Sequence, residues 1–169
     1  YRGLDPDSPL HFLGPSPRAA PTPEMTAYAV EKLRPGMTAM DAVRAVGMSL
    51  YEDMEFDPEA TTVETPATEA FARRRGVCQD FAQIMIASLR GIGVPAGYVS
   101  GFLRTNPPPG KARLEGADAM HAWVRAWCGR ESGWIEFDPT NALIVGTDHI
   151  VIARGRDYAD VPPLKGIYA

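Results

Sequence analysis

The sequence predicts an α+β fold, with helices from its first half packed on an antiparallel sheet from its second half. Three observations predict this. Apolar residues recur at helical spacing from Thr22 to Leu89. From Pro95 onward the period becomes two, in runs rich in Val, Ile, Phe and Trp. The change happens once, so helices precede strands instead of alternating with them.

Residues 1–23 carry "LDPDSPLHFLGPSPRAAPTP", which is too rich in proline for a regular helix or a central strand. They read as a proline-rich lead-in or linker, tacked to the core by Leu10, Phe12 and Leu13. Residues 24–169 form the domain proper. Thr22 caps a first helix with Pro23 at its first position, and Met25, Tyr28, Ala29 and Leu33 give its apolar face. Pro35-Gly36 ends it. Thr38 opens a second helix with Asp41 three residues on. Its apolar face is Met40, Val43, Val46, Leu50, Tyr51 and Met54, and Gly47 on the same side admits a close neighbour. Asp57-Pro58 stops it.

A short third helix starts at Thr65-Pro66 and runs to Arg75, with Gly76 as its stop. The fourth follows Val77-Cys78. It is apolar most of the way round, through Phe81, Ile84, Met85, Ala87 and Leu89, so it is central and buried. Gly91 and Gly93 end it. Strands then fall on "PAGYVSGFLRT", "DAMHAWVRAWC", "WIEFDPTN" and "HIVIARGRDY". The loop "NPPPGKARLEG" separates the first two, and "GRESG" turns the chain between the next two. The end, "ADVPPLKGIYA", reads as irregular.

Bulk properties narrow the function. A net charge of −4 over 169 residues gives no footprint for nucleic acid. The run Arg73-Arg74-Arg75 is explained by a helix end, where cations are favoured. Two cysteines make neither a disulfide framework nor a zinc spacing, which points to a reducing, cytoplasmic setting. No apolar run approaches the ~18 residues of a membrane span. The chain starts at Tyr1 without methionine, as a fragment of a longer protein would.

Three residues carry the chemistry. Cys78 falls at a helix start, where unpaired N–H groups favour a thiolate and can later hold an oxyanion, with the backbone N–H of Cys78 as first donor. Gly76 lets a substrate backbone come close. His121, on a strand, is placed to take the thiol proton and pass it to a leaving amine. Asp138, at a strand end before Pro139, suits the far ring nitrogen of His121. Taken singly, each has a plainer reading: a buried small hydrophobe, a hydrogen-bonded strand histidine, a turn starter. Asp80, in the first turn after Cys78, reads as a structural carboxylate. Trp123 is a candidate cleft wall or core residue, and Tyr158 a candidate cleft wall. Cys128 reads as structural, and His11 and His149 as surface or packing residues. The acidic groups Asp5/Asp7 and Glu52/Asp53/Glu55 read as solvated charge, and no metal site is expected.

The segments "RRGVCQDFAQIMIASLRGIGVPAGYVSGFL", "DAMHAWVRAW", "GWIEFDPTN" and "HIVIARGRDYADVPPL" resemble, in that order, the core of the bacterial transglutaminase-like family of cysteine proteases. The likeness covers roughly Thr61 to Leu164. It implies a papain-like core, with Cys78 as nucleophile, His121 as general base and acid, and Asp138 as orienting carboxylate. It further implies a β-rich domain upstream and a peptide or protein substrate whose amide bond is cleaved through a thioester; no cofactor is expected. The same residues suit acyl transfer to an amine, as in a transglutaminase. A non-catalytic peptide-binding module is the remaining alternative. The calcium sites of animal transglutaminases have no visible counterpart. The signature that surrounds a papain nucleophile is absent, and the second oxyanion donor is unassigned.

Overall fold

Local capping chemistry sets the first helices. Thr22 accepts a hydrogen bond from the Met25 N–H and starts α1 (Pro23–Lys32). Thr38 and Asp41 form a reciprocal capping box at the start of α2 (Ala39–Asp53). In this computed structural model, residues 3–107, 109–117 and 119–162 are described. The expected irregular end is described only through Pro162, and residues 163–169 lie outside the described residues.

After α2 the chain forms a two-residue strand, β1 (Glu55–Phe56), which pairs in parallel with β2 (Arg75–Gly76). Neither strand has a period to read. Their pairing also corrects the expected end of the third helix, α3 (Ala67–Arg73). It stops at Arg74, not Gly76, with Arg74 in the left-handed region at φ 55°. A left-handed non-glycine residue is disfavoured. The guanidinium of Arg74 offsets this by lying over the Phe71 and Tyr28 rings, 4.1 and 5.0 Å from their centroids. The rest of the basic run is also engaged: Arg73 pairs with Glu69, and Arg75 with Glu55 and Asp57.

The fourth helix, α4 (Cys78–Gly91), is buried from Gln79 to Arg90. It packs against α1, α2 and α3 and against the sheet strands β3 (Ala96–Leu103) and β4 (Met120–Trp127). The remaining sheet strands are β5 (Trp134–Asp138), β6 (Leu143–Ile144) and β7 (His149–Gly155). The order is β6-β5-β4-β3-β7, antiparallel throughout. Gly47 of α2 faces the Phe137 ring of β5, where an added Cβ would lie 2.2 Å from a ring carbon. This is the close neighbour that the sequence anticipates there.

The lead-in is built onto the domain. Phe12, at the end of a 3-10 turn (Pro9–Phe12), is buried, whereas Leu10 is exposed. The main anchor is Arg90 at the end of α4. Its guanidinium donates to the Ser16 hydroxyl and the Ala19 carbonyl, each at 2.8 Å, to the Ala96 carbonyl and to the Arg156 carbonyl. Burial pulls Arg90 down to about 10, against the opposing pull of Asp157.

Candidate active site

Cys78 is the first residue of α4, so its N–H has no intrahelical acceptor. The preceding N–H, of Val77, donates to the Asp80 carboxylate at 2.9 Å, and the Thr61 hydroxyl donates to the same oxygen. Burial raises the Asp80 pKa above the usual carboxylate value, and these two bonds only partly oppose it. Asp80 therefore ties the start of the nucleophile helix to the 61–65 loop. Gly76 makes room for this carboxylate: a Cβ there would sit 2.5 Å from an Asp80 oxygen. The close approach expected at Gly76 is thus made by Asp80.

Cys78 and His121 line one cleft of about 580 Å³. Phe56, Pro58 and Val63 contribute apolar wall from the α2–α3 side; Tyr98, Ser100 and Met120 contribute from the sheet. A cavity of equal volume between Leu10–Phe12 and Arg154–Arg156 contains neither Cys78 nor His121. At the start of β4, His121 is buried and its Nε2 lies 2.9 Å from Asp138 Oδ2. That leaves Nδ1 as the ring atom facing Cys78. No hydrogen bond of good alignment reaches Nδ1 among the described residues, but the thiol is close enough to act on the ring. Burial alone would lower the His121 pKa. The hydrogen bond to Asp138 and its charge, together with the nearby Cys78 sulfur, outweigh burial and raise it to about 9.

Asp138 ends β5 and is fully buried. Burial favours its neutral form, yet its pKa is well below the usual carboxylate range, because donors surround it. Oδ2 meets His121 at 2.9 Å, His149 Nε2 at 3.0 Å and the Asn141 amide at 2.8 Å. Oδ1 accepts from the Thr140 and Asn141 backbone N–H groups. Asn141 also accepts from the Glu115 N–H and donates to the Glu115 carbonyl, so it fixes the loop beside His121. At the next residue of that loop, Gly116, a Cβ would lie 2.5 Å from His121 Nδ1.

For two other residues the structure decides between the alternatives that the sequence leaves open. His149, read as surface or packing, has a buried side chain on the Asp138 carboxylate. Trp123, read as cleft wall or core, is fully buried and does not line the cleft. It stacks behind His121, contacts His149 edge-on at 5.1 Å, and donates to Glu136 at 2.7 Å. Gly101 clears the space, since a Cβ there would lie 2.6 Å from the indole. Tyr158 does line the cleft, and Cys128 lies at the end of β4 outside it. Among the described residues, His121, Asp138 and His149 offer ligand atoms within 4.8 Å of one another, as a metal site would. Both ring nitrogens also lie at hydrogen-bond distance from the same Asp138 oxygen.

The family model of the transglutaminase-like superfamily matches residues 26–139. The chain is 45% identical over 152 residues to an uncharacterized protein of Mycobacterium tuberculosis, Rv2569c, covering 86% of this chain and 48% of that protein. It thus spans about half the length of the curated relatives it matches first. A crystal structure named as a "putative cysteine protease" from Cytophaga hutchinsonii superposes with a TM-score of 0.75 at 31% identity, covering 95% of this chain and 50% of the other. A protein-glutamine gamma-glutamyltransferase of Pseudomonas aeruginosa is 35% identical over 106 residues, covering 57% of this chain and 16% of that protein.

Proposed function

The chain belongs to the transglutaminase-like superfamily, and on that premise we propose that it is a cysteine-dependent amide or peptide hydrolase working through a thioester. The observation that carries this reading is His121, hydrogen-bonded to the buried Asp138 and lining the same cleft as Cys78. His121 takes the Cys78 thiol proton as the sulfur attacks the substrate carbonyl carbon. The carbonyl oxygen becomes an oxyanion facing the free N–H of Cys78. Collapse breaks the C–N bond, and His121 Nδ1–H protonates the leaving amine. The neutral ring then deprotonates a water, which cleaves the thioester and returns the proton to the Cys78–His121 pair. Asp138 stays ionised throughout, with two backbone N–H groups and Asn141 holding it.

The apolar walls of the cleft fit an extended peptide. Acyl transfer to an amine uses the same first half-reaction, and the likeness to a gamma-glutamyltransferase favours it as the second reading. Incubation with a peptide library, with and without a primary amine, separates the two. Hydrolysis yields fragments that gain water; transfer yields an amine adduct with loss of ammonia. Iodoacetamide should label Cys78 far faster than Cys128, and Cys78→Ala should abolish turnover. Equal labelling of the two thiols, or activity surviving in Cys78→Ala, would refute the proposal.

A further inference from the structure

We propose that His149 is a positioning residue for the reaction: its ring, set on the same Asp138 oxygen as His121, fixes the carboxylate that orients the catalytic imidazole. The inference rests on the hydrolase reading given above. His149 opens β7, the edge strand on the far side of β3 from β4, so nothing in local sequence links it to His121. Its side chain is nonetheless buried, and its Nε2 lies 3.0 Å from Asp138 Oδ2, almost the His121 distance of 2.9 Å.

The consequence for Asp138 is geometric first. A carboxylate at a strand end can turn about its own χ angles. Oδ1 is pinned by the turn backbone of Thr140 and Asn141. Oδ2 is pinned by Asn141 from one direction and by His149 from another. His121 therefore meets an acceptor whose place is already decided, and this fixes the tautomer that leaves Nδ1 for Cys78. Trp123 enforces the pairing by packing on both imidazoles. An ionised carboxylate accepts and cannot donate. Both ring nitrogens that face it therefore carry hydrogen, so His149, like His121, is a donor through Nε2–H.

His149 also separates Asp138 from a second cavity. About 270 Å³ in volume, this cavity is lined by His149 together with Arg104, Leu143, Thr147 and Asp148. Truncating His149 would join that cavity to the carboxylate and leave a space of imidazole shape. This makes the role testable by chemical rescue.

The experiment reads the alkylation rate of Cys78 by iodoacetamide across pH, by peptide mass spectrometry, with Cys128 as internal standard. In His149→Phe, the Cys78 rate is expected to fall about tenfold, with a displaced pH midpoint and an unchanged Cys128 rate. In His149→Gln, whose amide can return an N–H to Oδ2, most of the rate and the midpoint are expected to recover. In His149→Ala, millimolar imidazole is expected to accelerate Cys78 alkylation, with no effect on the unsubstituted protein. A wild-type profile in both His149→Phe and His149→Ala would overturn the positioning role, as would equal deficits in His149→Gln and His149→Phe with no imidazole rescue. Should every variant fail to fold, side-chain nitrogen NMR of the unsubstituted protein decides: a His149 tautomer with hydrogen on Nδ1 and none on Nε2 overturns the inference. Failure of the hydrolase reading looks different, because unsubstituted Cys78 would then label no faster than Cys128.

Discussion

Gly116→Ala puts one methyl group against the reacting nitrogen, and its effect follows from two fixed neighbours. The new Cβ would lie 2.5 Å from His121 Nδ1, whereas ordinary contact begins near 3.4 Å. One side or the other must give by close to 1 Å. The imidazole is held by Asp138 at 2.9 Å and backed by the buried Trp123. The loop is held at Glu115 by both functional atoms of the Asn141 side chain. Neither yields freely, and Gly116 also has φ +83°, where an alanine costs about 1–2 kcal/mol. A misplacement of about 1 Å at a reacting group can cost on the order of 100-fold in rate. The alkylation rate of Cys78 at neutral pH should therefore fall by roughly 10- to 100-fold. The melting temperature should drop by only about 2–8 °C, at 2–4 °C per kcal/mol for a chain of this length. Labelling of Cys128 should not change. An alanine variant that keeps the Cys78 rate within about twofold would refute the claim that Nδ1 is the working nitrogen facing the cleft.

Three further outcomes are expected. Asp138→Asn should cut turnover by roughly 1,000-fold or more, because an amide nitrogen among five donors forces one partner, His121 included, to change tautomer or turn away; turnover within about tenfold of the unsubstituted protein would contradict this. Arg90→Met should lower the melting temperature by about 10 °C, equivalent to roughly 3 kcal/mol for orphaned buried acceptors, and should expose residues 9–19 to protease; a change below about 2 °C would show that the lead-in is held by other contacts. His121, raised to about 9 from 6.5, contributes stability that is complete below about pH 6.5 and fades as pH rises through 9. Asp138, depressed, contributes above about pH 4 and loses its share on further acidification. Calorimetry across pH should thus show an alkaline decline of roughly 3 kcal/mol that His121→Gln removes; an unchanged slope in that variant would refute the assignment.

Much of the fold is legible in the sequence because its signals are local. A threonine cap with its carboxylate partner, a period of 3.6 giving way to a period of two, and a helix apolar all round can each be read within one segment. What escaped depends on distant partners. The β1–β2 pair has two residues a side, too short for any period. Gly76 looks like a helix stop, but Arg74 takes the left-handed turn because two rings lie beneath its guanidinium. The lead-in reads as a linker because its anchor is Arg90, a charged residue that a sequence assigns to solvent. Only the fold shows four acceptors converging on it.

The candidate site divides in the same way. Cys78, His121 and Asp138 are visible as residue types in suitable local settings, and family resemblance joined them. His149 and Asn141 are not visible, since an isolated histidine or asparagine is ordinary. Yet a physical rule could have called for them. A carboxylate taken wholly out of water stays ionised only if donors replace its hydration shell, and one imidazole is too few for two oxygens. Once Asp138 is placed at the buried end of a strand, further donors are required. The nearest in sequence are the N–H groups and amide of Thr140-Asn141, and the resemblance's closing segment begins with a histidine. A triad named from sequence is therefore an incomplete set whenever its acid is buried. Counting the hydrogen bonds that the acid must accept points to the residues still missing.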